Sequence, residues 1–176
     1  MLTPQYAALS PALHHTCPGG RCQGAQRGAS VTGSARESKD KINPMQSLTL
    51  SKEQLQKMIS HVDSQAPLEA CGLLAGLNSK VETVLEVTNQ AQSAVRFVMD
   101  PIEQWHAFEW IESNGLELIG IFHSHPTGPE TVSPTDIADS AYAVVNVILA
   151  RVDNDWRARG FWIKDGTFDE VTLQVL

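Results

Sequence analysis

Apolar and polar positions fall into a regular order from residue 45 onwards. "LTL" (48–50) reads as a short strand, and Ser51 then opens Ser-Lys-Glu-Gln, a capping box with Gln54 at N3. Leu55, Met58, Ile59 and Val62 recur at i, i+3, i+4 and i+7, the stripe of one buried helical face. "EACGLLAG" (69–76) is an apolar run ending at Gly76 and reads as a buried strand. "VETVLEV" (81–87) and "AVRFVM" (94–99) are rich in β-branched residues and read as sheet neighbours. Asp100-Pro101-Ile102-Glu103 supplies an N-cap, a proline at N1 and an N3 glutamate. The helix it starts is expected to turn Ile102, Trp105, Phe108 and Ile111 inward and to stop at Gly115.

"LELIGIFHSH" (116–125) is the next strand, and Ser133-Pro134-Thr135-Asp136 opens a third helix running towards Tyr142. "VVNVILA" (144–150), "RARGFWIK" (157–164) and "FDEVTLQVL" (168–176) close the chain as strands, with Gly166 in a tight turn between the last two. The order predicts an α/β or α+β domain, one mixed sheet sandwiched by two or three helices. Trp105, Phe108 and Trp110 are expected in its core, and Trp156 and Trp162 on a sheet face.

Composition changes the picture at the N-terminal end. Residues 1–44 hold thirteen Gly, Ser or Pro and a single aromatic, Tyr6. Such a segment buries too little surface to offset its ordering entropy, so it is expected to be a disordered extension to a domain at 45–176. Cys17 and Cys22 stand near His14 and His15, but glycine-rich flanks make a poor mount for a metal clip. With Cys71 the cysteines number three, an odd count that argues against a disulfide framework.

The net charge of −7 divides unevenly, with +3 on residues 1–44 and −10 on residues 45–176. An acidic domain repels phosphate backbones, so nucleic acid is not an expected partner. No run approaches the roughly 20 apolar residues that cross a bilayer, so no membrane role is expected and the cytoplasm is the default location.

Candidate chemistry concentrates at the end of the 116–125 strand. Side chains alternate along a strand, so His123 and His125 share a face while Ser124 points away. Pro126 ends the strand, and Asp136 falls in the first turn of the following helix. Two imidazoles and a carboxylate are three ligands suited to zinc, leaving a fourth position for water. The plainer reading keeps the histidines as strand-end surface residues, with Ser133 and Asp136 only capping a helix.

The sequence His123-Ser124-His125, seven residues, Ser133, two residues, Asp136 matches H-x-H-x7-S-x2-D. With Glu69 in "PLEACGLLAG" upstream, the chain resembles the JAMM (MPN+) metalloprotease family of stand-alone prokaryotic type. The resemblance implies a cytidine-deaminase-like JAB/MPN domain with one zinc per chain on His123, His125 and Asp136. It also implies hydrolysis of a peptide or isopeptide bond, with Glu69 as the proton shuttle and Ser133 as the oxyanion donor. Stand-alone relatives are similar to enzymes that trim the tails of ubiquitin-like sulfur-carrier proteins, which makes such a protein the expected partner. Its tail is expected to pair with strand edges near 69–76 and 94–99. Cys71, on the same face as Glu69, reads as a buried apolar thiol.

Three rivals are weaker. A nucleobase deaminase needs H-x-E with P-C-x-x-C, and no paired cysteines follow His125. "HSHPTG" also resembles the DNA-repair-associated RadC-like group, but residues 1–44 offer no helical DNA-binding segment. A non-catalytic MPN interaction module would be expected to lose a ligand or the glutamate, and none is lost.

Overall fold

The computed structural model describes residues 46–176, so the 1–44 extension with its Cys17 and Cys22 lies outside the described residues. Ser47–Leu50 forms β1, and Ser51 caps the helix α1, Lys52–Gln65. Both halves of the expected capping box are made: Gln54 N–H donates to Ser51 Oγ at 3.2 Å, and Ser51 N–H donates to Gln54 Oε1 at 2.8 Å. Met58 and Val62 are buried, with Leu55 and Ile59 packed beside them, as the apolar stripe requires.

The strands β2 (Cys71–Leu77), β3 (Lys80–Val87) and β4 (Glu117–His125) follow, with α2 (Pro101–Ser113) between the last two. The short helix α3 (Pro134–Asp139) precedes β5 (Val145–Val152), β6 (Asp155–Lys164) and β7 (Thr167–Val175). The mixed sheet runs β1-β3-β2-β4-β5-β6-β7 and curls until β1 meets both ends of the order. Closure is uneven, because β1 pairs with β7 over four residues but with β3 only at Thr49 and Lys80. The expected α/β domain with three helices is present. The sheet is mixed as expected, and it closes into a barrel where a sheet sandwiched by helices was expected.

One face of the sheet packs Leu74, Phe122, Val145, Val147 and Leu149 against α1. His61 helps seat that helix, with Nε2 3.2 Å from the Cys71 carbonyl and its ring edge-on to Phe122. Gly72 is required there, because a Cβ would strike both the Leu85 carbonyl and the Phe122 ring. The opposite face carries Cys71, Leu73, Ala75 and Ile121 under α2. His123 and His125 continue that second face to the end of β4.

Three expectations need correction. Residues 94–99 are not a strand, and only Met99 bridges to Asn89. The Asn89 side chain supplies the reason: its Nδ2 donates to Arg96 O and its Oδ1 accepts from Val98 N–H. That amide takes the hydrogen bonds a partner strand would have made. Ile102 and Trp105 do not face inward; they are 66% and 55% exposed, and Trp110 is also exposed. Ala107, Phe108 and Ile111 form the packed side instead, because the Glu103 carboxylate binds Thr88 N–H and Oγ1 and fixes the helix's rotation. The third helix ends at Asp139, short of Tyr142.

The contact most relevant to function joins Ala70 to β4. Ser124, facing away from the histidines, accepts from Ala70 N–H through Oγ at 2.8 Å, and its own N–H donates to Ala70 O at 3.0 Å. The two bonds extend the β2–β4 pairing beyond Cys71 and hold Glu69 at the level of His123 and His125. Ser124→Ala leaves the buried Ala70 N–H without its acceptor, a loss of about 1–3 kcal/mol. The expected outcome is a lower denaturation midpoint with an unchanged denaturant slope, checked by urea unfolding.

Candidate active site

Three ligand-type atoms converge where β4 ends. His123 Nε2 and His125 Nε2 lie 3.1 Å apart. Asp136 Oδ1 stands 3.2 Å from His123 Nε2, and Oδ2 stands 3.4 Å from His125 Nε2. Donors at about 2.0–2.1 Å from a tetrahedral centre stand about 3.3 Å from one another. The three separations therefore fit the edges of a zinc-sized tetrahedron, and these residues are the group able to share one metal ion among the described residues.

Each ligand is held for that task. His125 Nδ1 lies 2.8 Å from the Pro129 carbonyl, which can only accept, so Nδ1 carries a hydrogen and Nε2 is the lone pair of the neutral ring. His123 is fully buried, and its ring stacks on Phe97 with centroids 4.7 Å apart. Its Nδ1 is buried without a hydrogen-bond partner among the described residues, so packing rather than a second hydrogen bond orients this ring. Asp136 is presented by α3, where Ser133 and Asp136 complete a reciprocal capping box. Ser133 N–H donates to Asp136 Oδ2 at 2.7 Å, and Asp136 N–H donates to Ser133 Oγ at 3.2 Å.

Electrostatics follow from this packing. Burial disfavours the ionised Asp136, but hydrogen bonds from both imidazoles and from Ser133 N–H outweigh it and hold the carboxyl well below the usual range. Burial lowers His123, against the pull of Asp136. Burial also works against protonation of His125, yet the bonds to Asp136 and Pro129 prevail and raise it. Such a site keeps its carboxylate anionic and directs two nitrogen donors at one point.

Glu69 is 4% exposed, and its carboxylate makes no hydrogen bond among the described residues. Its backbone is fixed on both sides, by Glu69 N–H to Ser93 O at 2.8 Å and by Asn89 Nδ2 to Glu69 O at 2.8 Å. Burial pushes its pKa up to about 7, with His125 opposing and Asp136 assisting the rise. Neighbouring Cys71 is fully buried, donates to Val87 O, and is pushed up to about 12 by burial and then by Glu69. It is an inert apolar thiol.

Of the five residues singled out, His123, His125 and Asp136 meet, Glu69 lies near enough to feel the charges of His125 and Asp136, and Ser133 supports Asp136 with its hydroxyl hydrogen free of any described acceptor. Sequence reasoning missed Phe97, Ser124 and Asn89, whose roles depend on contacts that no spacing reveals. From His123 and Asp136 a groove extends between residues 96–99 on one wall and 139–142 on the other, with Ile121 and Asn146 in its floor. The Arg96 guanidinium crosses to Asp139 with Nη2–Oδ2 at 3.1 Å, linking the two walls.

Comparison with known proteins places this geometry. The family model of prokaryotic homologs of the JAB domain matches residues 51–163. A Thermus thermophilus protein named a probable TtuB-protein conjugate cleaving protease is 36% identical over 123 residues, covering 69% of this chain and 78% of its own length. A Pyrococcus furiosus desampylase is 40% identical over 81 residues, covering 46% of this chain and 58% of its own. A solution structure of a Desulfitobacterium hafniense protein superposes with a TM-score of 0.67 at 32% identity, covering 73% of this chain and 92% of that one. The chain belongs to the prokaryotic JAB-domain homologs of the JAMM/MPN+ family.

Proposed function

We propose that this chain is a zinc-dependent isopeptidase of JAMM type that cleaves at the C-terminal tail of a ubiquitin-like sulfur-carrier protein. The observation carrying the reading is the meeting of His123, His125 and Asp136 at tetrahedral spacing beside a buried carboxyl, Glu69. Relatives named as conjugate-cleaving protease, desampylase and CysO-cysteine peptidase support the substrate class.

His123, His125 and Asp136 would hold one zinc ion. Bound there, zinc supplies Lewis acidity towards a carbonyl oxygen and makes water ionisable near neutral pH. Glu69 takes a proton from the attacking water through its free carboxylate and later delivers it to the leaving amine. Burial raises this carboxyl and a bound dication would draw it back down, two opposed effects that keep it able both to take and to return a proton. Ser133 directs its hydroxyl hydrogen, unused within the helix cap, to the developing oxyanion.

The groove accounts for an extended substrate tail. Strand β2 pairs with β3 on one side and β4 on the other, so the edge expected near 69–76 is closed to a tail. The edge near 94–99 remains available. Gln90 N–H binds Val98 O and Asp100 N–H binds Thr88 O, so alternate residues Phe97 and Met99 turn their backbone groups the other way. No described residue hydrogen-bonds to those outward groups. A tail lying in the groove would add itself to that short edge.

Metal analysis of the purified protein should give close to one zinc per chain, and His123→Ala should abolish it. Glu69→Gln should retain the zinc while slowing cleavage of a Gly-Gly-tailed substrate at least 100-fold, in line with the roughly 10²–10⁴-fold contribution of general acid–base groups. Full activity in that variant would place the base elsewhere. Glu69 accepts a proton only when ionised, so the rate should rise as pH passes upward through its pKa, which burial raises and a bound dication would draw back below about 7. A pH–rate profile checks this acid limb.

A further inference from the structure

Asn146 is the one polar side chain in the buried stretch of β5, between Val145 and Val147. Across the sheet it pairs with Ile121 on β4 and Phe161 on β6, both apolar. It is 8% exposed, and its Nδ2 makes only a 3.3 Å bond to Val144 O, just before the strand begins. Its Oδ1 accepts from no described residue. A leucine would satisfy this position by packing, whereas the amide keeps an unbonded oxygen in a floor otherwise built of apolar strand neighbours. Positions that break a packing rule in this way are characteristic of functional sites.

The exposed remnant of Asn146 opens into the groove that also holds His123 and Asp136. Its strand neighbour Ile121 precedes His123 by two residues, which is roughly 7 Å along β4. An extended peptide advances at the same rate, so this distance separates a scissile carbonyl at the metal ligands from a peptide unit about two residues away. An asparagine amide presents one acceptor and two donors, matching the N–H and C=O of a peptide unit.

We propose that Asn146 is a substrate-binding residue whose side-chain amide takes a backbone peptide unit of the tail about two residues from the scissile bond. The assignment rests on the isopeptidase reading above. It adds a contact that depends on the tail's backbone and not on its side chains.

The test uses zinc-loaded full-length enzyme and a short peptide ending in Gly-Gly joined through its terminal carbonyl to a fluorescent amine. Asn146→Leu should raise KM about tenfold, the effect of losing one such hydrogen bond, with zinc content unchanged and the melting temperature equal or higher. A structural role would instead lower the melting temperature. Esters replacing single tail amides test the same contact in the unaltered protein: the ester near Asn146 should weaken wild type about tenfold and add nothing to Asn146→Leu. A wild-type KM in Asn146→Leu, a lowered melting temperature with lost zinc, or a set of esters that all behave like the amide overturns the assignment. If wild type cleaves the peptide in those cases, the isopeptidase reading stands and only the role of Asn146 falls. If wild type neither binds nor cleaves it, both fall.

Discussion

The antiparallel pairing of β2 with β4, continued by the Ala70–Ser124 clamp, is the constraint on which the site depends. Glu69 and the two histidines are more than fifty positions apart in sequence, and the bond from Ala70 N–H to Ser124 Oγ spans 54 residues. Alternation along β4 means that a clamp on Ser124 leaves both neighbouring histidines pointing to the opposite face. One residue's slip in register would reverse all three and bury the ligands under α1. The sheet therefore sets the Glu69 carboxyl at the level of the two imidazoles, and no loop has to find that alignment.

The third ligand is fixed by a different device. Helix α3 is only six residues long and contributes no buried side chain, so it gains little from core packing. Its capping box does most of the positioning, since Ser133 and Asp136 bind each other's backbone. The positive end of a helix would ordinarily repel a cation, and the Asp136 carboxylate lies between the two. The same carboxylate oxygen that accepts from Ser133 N–H faces His125, so cap and ligand are one group. The Arg96–Asp139 pair then ties the far end of this helix to the opposite groove wall.

Much of this was legible in the sequence because it depends on local periodicity and spacing. The Ser51 box, the β4 alternation and the Ser133-Pro134-Thr135-Asp136 start all appear as expected. Errors arose where a distant polar contact overrode local propensity. The Asn89 side chain takes the Arg96 carbonyl and the Val98 N–H, where a partner strand would have offered backbone, and that β-branched run does not become a strand. Glu103 meets the expected N3 position, but binding Thr88 sets a rotation that leaves Ile102 and Trp105 in solvent. The strand 69–76 was correctly located, yet its central place in the sheet, which closes both edges, is a property of topology. Asn146 had a visible signal, a lone amide in "VVNVILA", whose meaning required the groove.

Cys71 sits directly across the ladder from His123 and contributes sulfur chemistry to a region that does not use it. Thiolate is the form that binds metals and reacts with oxidants, and burial keeps this group as the thiol. The group able to hold a metal comprises two imidazoles and one carboxylate, donors that suit a borderline cation and offer little to a soft one such as monovalent copper. Behind the two imidazoles and the carboxylate the fold thus keeps a thiol that burial holds back from ionising.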